Sequence, residues 1–60
     1  MDISKFLSVY ANLPAGIRGE IVAVMENGEP YTWNAAYVEI INETELGKEI
    51  YNKLVTMGVI

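Results

Sequence analysis

Glu20-Ile21-Val22-Ala23-Val24-Met25-Glu26-Asn27-Gly28-Glu29-Pro30-Tyr31-Thr32-Trp33 decides the fold. Its first half is rich in β-branched residues, which suit a pleated strand. Asn27-Gly28 supplies the positive φ angles of a two-residue type I′ turn, so a β-hairpin is predicted here. With that loop Glu26 faces Glu29, Val24 faces Tyr31, Val22 faces Trp33, Glu20 faces Ala35 and Arg18 faces Tyr37. The returning strand starts at Pro30 and is extended, bent, through Asn34-Ala35-Ala36 to Tyr37-Val38-Glu39-Ile40-Ile41. No glycine or proline marks a reversal between Trp33 and Tyr37. A third strand, or a short helix capped by Asn34, is the alternative for this stretch.

Outward from the hairpin, both flanks read as helices. On the N-terminal side Ile3, Phe6, Leu7, Tyr10 and Leu13 recur at three- and four-residue steps, predicting a helix over Asp2–Leu13. Asp2 stands where a cap belongs, and Pro14 ends the helix by driving Leu13 out of helical geometry. On the C-terminal side Leu46, Ile50, Leu54 and Met57 make the stripe of a helix from about Glu43 to Met57. Asn42 with Glu45 resembles a capping box, and Thr44 is the rival cap. Gly58 suits the left-handed position past the helix end, with Val59 turned back toward Leu54. The expected fold is a single α+β domain over residues 1–60: N-terminal helix, antiparallel hairpin, C-terminal helix.

Composition then narrows the function. At 60 residues the chain buries only about 60% of the surface its unfolded state exposes, so its core is marginal. Small domains meet that deficit with a disulfide, a metal or a partner subunit. There is no cysteine and no histidine, which excludes disulfides, thiolate and imidazole ligation, and histidine acid–base chemistry. A partner chain is what is left. The net charge of −4 is spread evenly over the acidic chain, a balance that repels phosphate backbones and anionic lipid. Nucleic acid and membrane are therefore not expected partners. Met1-Asp2-Ile3-Ser4-Lys5 has neither a basic region nor a long apolar run, which points to a cytoplasmic, soluble protein.

Catalytic and metal signatures do not emerge. Ser4 and Ser8 have no histidine to activate them. Glu26 and Glu29 flank a turn where water keeps them ordinary, and Glu39, Glu43, Glu45 and Glu49 match no calcium loop. No enzyme activity, cofactor or metal is expected. Gly16-Ile17-Arg18-Gly19 has the G-x-x-G form of a phosphate-clamping loop, but it leads into a strand instead of joining two helices. Asn42-Glu43-Thr44 fits a glycosylation sequon and is read as a helix start.

The hairpin register places Val22, Val24, Tyr31, Trp33 and Tyr37 on one face, opposite a second face that is also apolar. In one reading the two helices cover opposite faces, or one face is only partly wet, and these aromatics are core, the ordinary place for a tryptophan such as Trp33. In the other both helices pack on the aliphatic face and leave the aromatics to a partner, since tyrosine and tryptophan bury large area at low entropy cost. The expected function is a protein-interaction module, a homodimer using these five residues, that in turn binds another protein. The alternative is a small-ligand or single-stranded nucleic-acid binder using the aromatic face, with Arg18 as its ligand contact.

Overall fold

The computed structural model describes residues 2–60. In chain order it has α1 (Ser4–Ala11), a 3-10 turn (Ile17–Gly19), β1 (Ile21–Val24), β2 (Pro30–Thr32), α2 (Trp33–Ile41) and α3 (Glu45–Thr56). The α+β order of helix, hairpin and helix is as the sequence predicts, with one helix more. Phe6 of α1, Ala23 of β1, Ala36 and Ile40 of α2, and Ile50 and Leu54 of α3 are buried in one cluster. Each of the larger ones contributes roughly 1.5–3 kcal/mol by leaving water. Among the described residues no helix is long and apolar enough to cross a membrane.

The extended second strand is corrected. β2 stops at Thr32, and residues 33–41 are helical. Thr32 is the reason: its backbone is extended and its hydroxyl oxygen accepts from the Ala35 N–H at 3.1 Å, which starts α2 one residue later. Asn34 lies inside the helix and is not its cap. Trp33, Ala36, Tyr37 and Ile40 then recur at helical spacing on the inward side, all buried or half-buried. Two adjacent alanines, the strongest helix formers, favour the same outcome.

The hairpin register is corrected as well. The Gly28 N–H donates to the Met25 carbonyl at 2.8 Å, and the Met25 N–H to the Glu29 carbonyl at 2.9 Å. The loop is thus three residues, Glu26-Asn27-Gly28. Only Gly28 among them has positive φ, +86°, so this is a type I turn closed by a glycine bulge and not a type I′ turn. Asn27 reinforces it by accepting from the Glu29 N–H at 3.0 Å through its side chain. One extra loop residue moves the register by one: Val24 faces Pro30, and Ala23 faces Tyr31. A second irregularity between Ile21 and Ala23 sets Ile21 opposite Thr32 and leaves Val22 as the extra residue.

α2 and α3 meet at a tight corner made by local hydrogen bonds. The Thr44 N–H donates to the Glu39 carbonyl and the Glu43 N–H to the Ile40 carbonyl, which closes α2 in a Schellman motif. Its left-handed position is held by Glu43 (φ 52°), where glycine is usual. Thr44, not Asn42, caps α3: its hydroxyl oxygen accepts from the Gly47 N–H at 2.9 Å and donates to the Glu39 carboxylate at 2.7 Å. Gly47 itself is buried against the backbone of α2. At the far end of α3 the Gly58 and Val59 N–H groups reach back to Val55 and Leu54, the termination predicted at Gly58.

α1 is shorter than predicted, Ser4–Ala11, with Asp2 ahead of it accepting from the Ser4 N–H at 3.0 Å and hydroxyl at 2.7 Å. Those two bonds, the hydroxyl first, hold the Asp2 carboxyl below its ordinary value. The Tyr51 hydroxyl donates to the Asp2 carbonyl and ties the start of α1 to α3.

Candidate interaction surfaces

Three features of the surface are built well enough to carry a function: an aromatic stack, an open strand edge and a cleft.

The stack is assembled by helix spacing. Phe6 and Tyr10 stand four apart on α1, and Trp33 and Tyr37 four apart on α2. Where the helices cross, Tyr10 stacks on Tyr37 with ring centres 4.5 Å apart, and Phe6 on Trp33 at 6.1 Å. The Tyr10 hydroxyl donates to the Asn34 side chain at 2.6 Å. Arg18 lies over the Tyr10 ring at 4.5 Å and donates to the Ala11 carbonyl at 3.3 Å. Trp33 and Tyr37 are half-buried against the core. They are helical and intramolecularly stacked, so they do not share a sheet face with Val22, Val24 and Tyr31; that expectation is corrected. Arg18 sits in the 3-10 turn and not across a strand from Tyr37.

The open edge belongs to β1. Among the described residues the sheet has two strands, so each strand has one unpaired edge. Proline begins β2, where a missing N–H blunts the edge. β1 has no proline and no charge along Ile21-Val22-Ala23-Val24. Ile21 is 59% exposed and Val24 51% exposed, while Val22 is half-buried against the core. Among the described residues no backbone group outside the hairpin bonds to β1 along its outer edge.

The cleft lies between the hairpin end and α3, with a volume of about 780 Å³. Half-buried Met25, Tyr31 and Leu46 make its floor, and exposed Glu26 and Glu49 stand on its rim. The Tyr31 hydroxyl donates to the Glu29 carboxylate at 2.8 Å. That hydrogen bond first, then partial desolvation, then the charges of Glu29, Glu39 and Glu49, push the Tyr31 phenol above its ordinary value.

Of the five residues predicted for an interface, then, only Val24 is freely exposed, and Tyr31 opens onto a cleft the sequence did not suggest. Exposed Ile21, left on the other face by the predicted register, was missed. The bulge at Val22 breaks the alternation that would otherwise set Ile21 and Val24 on opposite faces. Among the described residues there is no group of three or more acidic, histidine or cysteine side chains placed to hold a metal ion. Comparison with protein-family models, curated proteins and solved structures gives no match.

Proposed function

We propose that this chain is a non-catalytic protein-interaction module that pairs with a second copy of itself through the outer edge of β1. One observation carries the proposal: a four-residue uncharged edge strand whose Ile21 and Val24 side chains are more than half exposed. Edge strands of stable monomers are blunted with lysine, proline or a covering loop, because unpaired N–H and C=O groups recruit further strands. β1 has neither residue, and its one irregularity, at Val22, is toward the start of the strand.

A second copy suits this edge better than an unrelated strand. Antiparallel pairing of β1 with itself about a two-fold axis makes a closed, four-stranded sheet and leaves no edge for further growth except β2, where proline stands. Because the strand is uncharged, two copies of a protein with net charge −4 meet there without opposing like charges. The small core gives the pairing a thermodynamic motive. Among the described residues six apolar side chains are buried, while seven large apolar ones, Ile21 and Val24 among them, remain exposed.

Trp33 and Tyr37 take no direct part in this contact, since their rings are already stacked inside the protomer. The same stacking weighs against nucleic-acid binding, for which free aromatic faces and free cations are needed, because Arg18 is engaged with Tyr10.

Sedimentation equilibrium of the wild type and Val24→Lys tests the proposal. The wild type is expected to dimerise, and the variant, which sets two lysines at the seam, to dissociate about a hundredfold more readily. Val24 is exposed, so the variant keeps the wild-type helical signal. A wild type that stays monomeric up to its solubility limit, or a variant that dimerises equally well, overturns it.

A further inference from the structure

The cleft between the hairpin end and α3 has a character that self-pairing at β1 does not use. Its floor holds Met25, Tyr31 and Leu46, with Met57, 48% exposed, at one end. Methionine is unbranched and polarisable, and it moulds to apolar side chains of different shapes. Above that floor stand Glu26 from the hairpin and Glu49 from α3, and Glu29 is bonded to the Tyr31 hydroxyl. Among the described residues neither Glu26 nor Glu49 is in an ion pair; the salt bridge of α3 joins Lys48 to Glu45. Lys53 is the one basic residue on the lining. The cleft is thus apolar below and net acidic above.

We propose that this cleft receives a short amphipathic segment of another protein, apolar along one face and basic beside it. Charge complementarity argues for that occupant: the apolar side chains of such a segment fill the floor while its lysines or arginines meet Glu26 and Glu49. A volume of about 780 Å³ has room for several side chains, which is more than one small cation fills. A second copy of this chain does not fit the description, since Lys5, Arg18, Lys48 and Lys53 are scattered through its sequence. The recognition mode is an amphipathic segment laid into a groove. It is independent of the β1 edge.

The test uses a short synthetic peptide with leucines at helical spacing and lysines elsewhere, titrated against the full chain and followed by NMR. Shifts are expected at Met25, Tyr31, Leu46 and Met57. Reversing both rim charges, Glu26→Lys with Glu49→Lys, is expected to weaken binding about tenfold or more, as removal and inversion of two exposed charge contacts implies. Both positions are exposed, so unchanged shifts in the core confirm that the double variant is folded. Repeating the titration on Val24→Lys is expected to give the same affinity, which separates this site from the dimer seam. No binding, equal binding of a peptide with glutamate in place of lysine, shifts centred elsewhere, or indifference to the reversal overturns the proposal.

Discussion

Gly47→Ala is expected to unfold the domain. A methyl group at this position would press into the Glu39 carbonyl and lie 2.9 Å from the Ile40 nitrogen. These are backbone atoms of α2, held by the hydrogen bonds that close that helix, so neither can yield by a rotamer change. In an exposed helix, alanine for glycine would stabilise by roughly 1 kcal/mol. Here α2 and α3 must separate, which opens the contact between Ile40, Ile50 and Leu54 and costs more than the 1–3 kcal/mol typical of overpacking. A core of this size supplies only about 3–5 kcal/mol in total. Circular dichroism at room temperature reads the outcome: loss of most helical signal is expected, and a native spectrum with an unchanged melting midpoint would show that the corner is loose.

Phe6→Ala is expected to have the next largest effect, and by a different route. Phe6 is the only fully buried side chain that α1 contributes, and its ring stacks on both Tyr10 and Trp33. Removing a buried phenylalanine typically costs about 3–5 kcal/mol, the lost transfer energy plus the cavity left behind. That is as much as the whole domain has to spare. Because α1 is joined to the rest by a loop and by few other buried contacts, it undocks first. The Trp33 fluorescence then shifts toward that of exposed indole, and the urea midpoint falls. A midpoint within experimental error of the wild type would contradict the role given to this stack.

How far the sequence discloses this architecture depends on whether the deciding signal is local. The turn at Asn27-Gly28 and the helix end at Gly58 are legible because glycine at a left-handed position leaves few alternatives. The register was not. Asn-Gly serves two-residue and three-residue loops alike, and Gly28 as the last loop position distinguishes them only through the angle at Asn27. α2 was hidden by its composition, since Trp, Tyr, Val and Ile favour strands on average. Thr32 as a cap and the helical spacing of Trp33, Ala36, Tyr37 and Ile40 are the signals that outweigh composition. Gly47, a glycine in the first turn of α3 beside its apolar stripe, marks a close backbone approach that only the fold makes visible. For the candidate site, Val24 was legible as an apolar strand residue. The separation of Trp33 and Tyr37 from it follows from α2, which no pairing rule for strands could give.

Amide hydrogen exchange at Val24, followed across protein concentration, bears most directly on the claim that β1 pairs with itself. Val24 faces Pro30 between the Ala23–Tyr31 and Met25–Glu29 pairs. In an antiparallel ladder such a residue turns its N–H away from the partner strand, toward the open edge. The Ala23 N–H turns inward, toward Tyr31, and serves as the internal reference. If two copies join along β1, Val24 exchange slows as concentration rises, while Ala23 stays protected throughout. Val24 exchange that remains at the rate of an unstructured amide at every concentration, with Ala23 protected, would contradict the account.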